Sequence, residues 1–204
     1  MLNPARIAVF VSGGGTNLQA LINAQASGIL HSGKIVLVLS SNPEAYALQR
    51  AEKAGIDTCV VSRRGCASQQ AFEAGISAAL REHQVDMIVL AGFMSILSAE
   101  FTAAWPKRIL NVHPSLIPSF CGEGFYGLRV HEAALNYGVK VTGATVHYVN
   151  QIPDGGEIIL QKAVEILPGD TPEVLQRRVM ENAEWILLPR AAELVAERLC
   201  KEKN

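Results

Sequence analysis

Long hydrophobic runs are missing from this sequence. Its Val- and Ile-rich stretches are broken by Gly and polar residues well short of the ~20 apolar residues a membrane-crossing helix requires, so no membrane partner is expected. A dominant charge is missing too. Lys and Arg number 18 against 19 for Asp and Glu, a formal net charge of -1, and they are scattered rather than gathered on a basic face. No nucleic-acid partner is expected, and any anionic ligand has to be met locally. Cysteine is scarce: Cys59, Cys66, Cys121 and Cys200 lie far apart without a CxxC pair, which argues against a disulfide framework and against a zinc site, and no metal is expected. No apolar signal segment follows Met1, which makes the cytoplasm the expected compartment. What is present is an apolar chain, 49% hydrophobic and 18% charged, too rich in core-forming residues for disorder. Its 204 residues suit one domain, taken as 1–204, with no repeat, linker or low-complexity tract.

Short Val/Ile-rich runs alternate with longer amphipathic segments, the pattern of βαβ units and a parallel sheet. Strands are expected at Ile7–Val11, Ile35–Ser40, Thr58–Val61, Met87–Ala91 and Ile109–Val112, with helices near Asn17–Ala26, Ala45–Ala54 and Ser68–His83. The second half changes character. Val139–Val149 and Glu157–Ile166 read as two longer strands joined through a Pro153-Asp154-Gly155-Gly156 turn. In "GDTPEVLQRRV", Asp170 or Thr171 can cap a helix with Pro172 in its first turn, running toward Leu199 with a disturbance expected at Pro189. The fold class is α/β: one Rossmann-like domain, a mostly parallel sheet with helices on both faces and an antiparallel C-terminal strand pair.

Three stretches carry chemistry. In "VFVSGGGTNLQAL" a buried strand runs through Gly13, Gly14 and Gly15 into a helix starting at Thr16 and Asn17. Glycines let the backbone approach a ligand, and free N–H groups at a helix start favour an anion. The loop lacks both the GxGxxG pattern and the Walker lysine, so a phosphomonoester suits it better than a dinucleotide or a triphosphate. A ligand-free strand-to-helix turn accounts for the same glycines equally well. In "LNVHPSLIPSF", Asn111 and His113 alternate about Val112 and so share one side of a strand end, the edge where open α/β sheets bind ligands. Asn can donate to a developing oxyanion and His can relay a proton, while Pro114 and Pro118 hold the exit. A capping and turn device is the more frequent use of such a tetrad. In "NQIPDGGEI", Asp154 either bonds its own turn or folds back on His113 as an acid–base pair.

Together "SGGGTNLQAL", "VLAGFMSILS", "NVHPSLIPSF", "TGATVHYVN" and "PDGGEIILQ" resemble, in order and over nearly the whole chain, the phosphoribosylglycinamide formyltransferases, folate-dependent transformylases of purine synthesis. The resemblance implies formyl transfer from 10-formyltetrahydrofolate to the amine of glycinamide ribonucleotide, without a metal. It places catalysis on Asn111, His113 and Asp154, with Asp154 holding His113 protonated. The ribonucleotide falls on Gly13, Gly14, Gly15, Thr16 and Asn17 and on Glu181, Asn182, Ala183 and Glu184 of the last helix. The folate falls on Phe93, Met94, Ser95, Ile96 and Leu97, on Asn111, and on Asn150, Gln151, Ile152, Pro153 and Asp154. Plain core packing explains Phe93, Ile96 or Leu97, taken singly, at least as well.

The chain departs from the family at Ser95 and Gln69, where basic residues are frequent, which leaves the folate's glutamate tail without its usual contacts. The segment around Cys121–Tyr126 is longer than usual and reads as a candidate lid. His131 and His147 are taken as structural, and Cys121 has no partner base that would make it a nucleophile. Two alternatives share the motifs: a deformylase, in which water replaces the amine, and a non-catalytic phospho-ligand or folate-binding module. Formylation of a charged tRNA calls for a basic surface that this chain lacks. A monomer and a homodimer are both compatible with the sequence.

Overall fold

The computed structural model describes residues 3–203, so the expected domain limits at Met1 and Asn204 lie outside the described residues. A seven-stranded sheet runs in the order β3-β2-β1-β4-β5-β6-β7. Strands β1 (Ala5–Val11), β2 (Gly33–Ser40), β3 (Thr58–Val60), β4 (Met87–Leu90) and β5 (Ile109–His113) are parallel, whereas β6 (Val141–Tyr148) and β7 (Ile158–Glu165) join antiparallel. The expected class and strand set hold, with ends shifted by one or two residues.

The central strands are apolar on both faces because both are covered. Ile7, Val9 and Val11 of β1 enter one core, with α1 (Thr16–Ser27), α2 (Tyr46–Lys53), α6 (Pro172–Val179) and α7 (Trp185–Glu202). Ala8 and Phe10 enter the other, with Phe72, Ile76 and Leu80 of α3 (Gln69–Glu82) and Phe101 of α4 (Ala99–Ala103). Side chains alternate, so in β5 Leu110 and Val112 join the first core and Ile109 the second. Asn111 and His113 share the parity of Ile109 but lie beyond the helical cover, at the strand's carboxyl end.

Side-chain caps start three helices: Ser68 accepts from the Ala71 N–H, Ser98 from Phe101 and Thr171 from Val174. Asp170, the other candidate cap, instead accepts from the Leu167 N–H and pairs with both terminal nitrogens of Arg178. The C-terminal helix departs from expectation. It runs through Pro189, and the irregularity lies upstream, as a π turn over Met180–Glu184. The residue added by a wide turn shifts every later side chain around the helix, leaving Ala183 and Glu184 facing inward. Two further helices, the short α4 and α5 (Leu128–Tyr137), complete the set.

Glu73, a buried carboxylate of α3, holds the segment after β4. It accepts from the Ser98 N–H at 2.6 Å, the Ser98 hydroxyl at 2.6 Å and Gln69 Nε2 at 2.7 Å. Removing it leaves buried donors unpaired at ~1–3 kcal/mol. Glu73→Ala is therefore expected to lower unfolding stability by about 2 kcal/mol in urea titration, while Glu73→Gln, which keeps one acceptor, loses less. Equal midpoints for wild type and Glu73→Ala would show that the clamp contributes nothing.

Candidate active site

Register assembles the first half of the site. The β5–β6 pairing sets Asn111 opposite His147 and His113 opposite Thr145. The chain leaving β5 is pinned by more than its prolines: Thr145 Oγ1 donates to the Ser115 carbonyl at 2.7 Å and accepts from the Ile117 N–H, and Ser115 Oγ donates to the Ser119 carbonyl at 2.6 Å. After β6 the chain returns Asp154 to the same point. Gly156 permits this return, because a Cβ there would collide with the Tyr148 carbonyl. Asp154 itself is left-handed, with φ 53°, a conformation Asp adopts more readily than most residues.

Asp154 is the hub. One carboxylate oxygen lies 3.4 Å from His113 Nδ1 and accepts from the Gly122 N–H at 2.9 Å. The other lies 3.5 Å from both His147 Nε2 and Asn111 Nδ2. Asn111, His113 and Asp154 are thus brought together as expected. His147, taken as structural in the sequence, belongs to the cluster: its Nε2 is 3.3 Å from Asn111 Nδ2 and its Nδ1 bonds the Tyr148 carbonyl at 2.8 Å. A carbonyl can only accept, so Nδ1 carries a proton. The signal that could have found it is its same-parity pairing with Asn111, visible only once the β5–β6 register is known.

Burial, the largest influence on His113, drives its proton affinity below the ordinary value; the Asp154 charge and the Phe120 carbonyl pull it up, and His147 pushes it further down. The expectation that Asp154 keeps His113 protonated is corrected on this point, because desolvation of the imidazolium outweighs its carboxylate neighbour. For Asp154 the balance is reversed. Burial raises its pKa, but the His147 hydrogen bond, the His113 charge and the Gly122 amide together hold it below the usual value.

The segment read as a lid is docked onto this cluster. The Phe120 carbonyl sits 2.8 Å from His113 Nε2, Gly122 supplies its amide to Asp154, and the Phe120 ring packs against Phe125 and Tyr137. Cys121 Sγ donates to the Pro118 carbonyl, and burial followed by the Asp154 charge raises its pKa, so its thiol is not activated.

The second half is the glycine loop. Gly15 is left-handed at φ 72°, and a Cβ there would sit 2.6 Å from Ala47 Cβ, so glycine is required on both counts. The first turn of α1 has no side-chain cap and no acidic residue, leaving its dipole uncompensated. Asn17 Nδ2 donates to Glu184 Oε2 at 2.7 Å, and Asn17 Oδ1 is buried without a partner. Burial raises the pKa of Glu184, and the Asn17 bond only partly opposes this. The other expected helix contacts diverge: Glu181 is paired with Arg177 at 2.8 Å, Asn182 is exposed, and Ala183 is fully buried in the core.

The two halves touch, since the Met94 N–H donates to Ser12 Oγ at 2.9 Å. Of the expected folate wall, Met94 and Ile96 are exposed, whereas Leu97 is buried and Phe93 packs on Phe10 at 5.2 Å. Leu97 is a core residue here and does not line the wall. Asn150, Gln151, Ile152 and Pro153 form an exposed loop, held by Asn150 Oδ1 accepting from the Ile152 N–H. Gln69 donates to the Ile96 carbonyl at 3.0 Å and accepts from Arg63, so it braces this wall. Among the described residues, no group of three or more His, Cys, Asp or Glu is placed to hold a metal ion, and no helix is long and apolar enough to cross a membrane.

Behind His113 lies His131 of α5, fully buried with both ring nitrogens unpartnered. Burial first, then the His113 charge, lowers its pKa to about 4. The folded pKa lies below the unfolded value of ~6.5, so folding expels a proton; the stability is full above pH ~6.5 and is lost as pH falls toward 4. Between pH 7 and 5 the loss amounts to about 2 kcal/mol. His131→Leu is expected to remove that part of the pH dependence, measured as urea midpoints at the two pH values. Parallel losses in both proteins would mean that His131 titrates normally.

The same fold recurs in known proteins. The formyl transferase family matches residues 5–191. The trifunctional purine biosynthetic protein adenosine-3 of Bos taurus is 45% identical over 194 residues, covering 94% of this chain but 18% of that much longer protein. The chloroplastic phosphoribosylglycinamide formyltransferase of Arabidopsis thaliana is 34% identical, over 95% of this chain and 66% of its own length. Among solved structures, glycinamide ribonucleotide transformylase 1 from Symbiobacterium toebii is 42% identical with a TM-score of 0.89, covering 96% of this chain and 89% of that one. The phosphoribosylglycinamide formyltransferase from Brucella melitensis is 44% identical with a TM-score of 0.87, covering 95% and 96%. With its Asn–His–Asp cluster beside an open glycine loop, the chain belongs to the formyl transferase family and, within it, to the phosphoribosylglycinamide formyltransferases.

Proposed function

We propose that the chain transfers the formyl group of 10-formyltetrahydrofolate to the primary amine of glycinamide ribonucleotide, releasing tetrahydrofolate and N-formylglycinamide ribonucleotide. The observation that carries this reading is the convergence of Asn111, His113 and Asp154 on the sheet edge that also holds the uncapped N-terminus of α1. The ribonucleotide phosphate takes the amides of Gly15, Thr16 and Asn17. Glu184, with the unpaired Asn17 Oδ1 beside it, reads ribose hydroxyls. The pterin lies between Met94–Ile96 and the Asn150–Asp154 loop.

The amine attacks the formyl carbon and the carbonyl oxygen becomes an oxyanion. Asn111 Nδ2 and His113 are its donors. A His113 whose proton affinity is depressed before reaction suits this role, because the new negative charge offsets the desolvation that lowers its pKa. Charged interaction then appears mainly in the transition state, where it accelerates the chemistry. The oxyanion is a stronger acceptor than the Phe120 carbonyl and displaces it from Nε2. Asp154, held ionised by its neighbours, moves the proton shed by the attacking nitrogen toward the leaving folate nitrogen.

Tetrahydrofolate release should require glycinamide ribonucleotide; release indifferent to it would favour the deformylase. Asp154→Asn, which keeps the shape and tolerates the left-handed backbone, is expected to reduce kcat by ~10²- to 10⁴-fold. It should also shift the His113 titration in a histidine NMR experiment to lower pH, because the charge that raises it is gone. A His113 titration that stays in place would remove Asp154 from the electrostatics of the site. Glu184→Ala is expected to raise the KM for ribonucleotide by about tenfold or more, the ~1.4 kcal/mol of one charged hydrogen bond, and to change the KM for folate little.

A further inference from the structure

A cavity of about 650 Å³ opens between α1 and α7, with Thr16 at its border. Its walls are Ala20 and Ala24 of α1, Trp185, Ile186 and Pro189 of α7, and Ile29 at one end. This volume is typical of small-molecule sites. Two guanidiniums, Arg50 and Arg190, share the lining, and no carboxylate does. Arg50 is hydrogen-bonded only to neutral acceptors, with Nε at 2.8 Å from the Gly14 carbonyl and a terminal nitrogen at 3.0 Å from Gln19 Oε1, and it stacks 5.0 Å above the Tyr46 ring. Arg190 is exposed and has no hydrogen-bond or ion-pair partner among the described residues. Two uncompensated forks beside an apolar and aromatic wall complement a flat ring that carries a phosphate: guanidinium binds phosphate bidentately, and rings stack on indole and proline.

We infer that this cavity is a second small-molecule site, for a heteroaromatic phosphate of nucleoside-monophosphate size, coupled to the glycine loop through Arg50. The link is direct. Arg50 holds the carbonyl of Gly14, next to the left-handed Gly15, and a phosphate drawing on that guanidinium competes with the Gly14 bond. Trp185 follows Glu184 in the chain, so both ribonucleotide-facing elements border the cavity. Binding at the second site therefore weakens ribonucleotide binding without occupying its place, and by linkage the reverse holds.

The binding part stands whether or not the chain proves to be a transformylase; only the kinetic part rests on that reading. The chain has two tryptophans, and Trp105 packs against the opposite core, so in Trp105→Phe the emission reports Trp185 alone. Adenosine 5′-monophosphate is the probe, with adenosine and inorganic phosphate as controls and calorimetry on the unaltered chain as a second readout. The expected result is saturable binding that Arg190→Ala weakens by about tenfold or more, with each control weaker than the probe by a similar factor. In turnover, the probe should raise the KM for ribonucleotide to a plateau about fivefold or more above its starting value, with kcat unchanged and Arg190→Ala insensitive. Binding that Arg190→Ala and Arg190→Glu leave intact, inorganic phosphate as effective as the probe, or a KM that climbs without limit would place the probe in the glycine loop and overturn the second site. A dimer in sedimentation that Ile29→Glu dissociates, together with no probe binding, would give the groove to a second copy and equally overturn it.

Discussion

The Asp154 carboxylate is the point on which the site depends. It is the last part of the chain to arrive, carried by a left-handed turn, and it meets donors from β5, β6 and the 114–127 segment at once. A carboxylate largely removed from water is costly unless its lone pairs are used. Here His147, His113 and the Gly122 amide share that task, and their combined pull overcomes the burial that would otherwise neutralise it. The same burial acts oppositely on His113, where it defeats the attraction of Asp154. One desolvated pocket thus lowers the proton affinity of acid and imidazole alike, an arrangement poised to gain when new negative charge forms beside the imidazole.

Much of this is legible in the sequence alone. The alternation of Val/Ile runs with amphipathic segments marks the parallel strands because burial on both faces leaves that imprint, and the Gly-Gly after Asp154 marks the return turn. Asn111 and His113 are legible because a period of two puts them on one side. The standing of His147 is not, since it depends on which β6 residue faces Asn111, a register that no local pattern encodes. The protonation of His113 escapes the sequence for a related reason. A neighbouring carboxylate can be inferred from motif order, but the depth of burial that outweighs it is a property of the assembled fold.

The helical exceptions have local causes. Pro189 is the visible breaker, yet α7 runs through it, and the deviation falls in Met180–Glu184, whose residues are ordinary helix formers apart from Asn182. The wide turn exists for tertiary reasons: it buries Ala183 against the sheet and brings Glu184 to Asn17. Leu97 and Ala183, both expected at a ligand, belong to the cores instead, because small and branched apolar side chains at element ends serve packing first. The chain spends its polar residues around the site on bracing, as Glu73, Gln69, Thr145 and Ser115 show.

The π turn has a consequence for how this region moves in time. A stretch of five residues whose ladder is already out of α-helical register is the natural place for the C-terminal helical run to come apart, since opening there disturbs fewer well-formed bonds than opening inside α6 or α7. Such an event loosens Glu184 and Trp185 together. The wall of the ribonucleotide site and the wall of the α1–α7 cavity therefore breathe as one unit, and amide exchange in both should be governed by a single local opening.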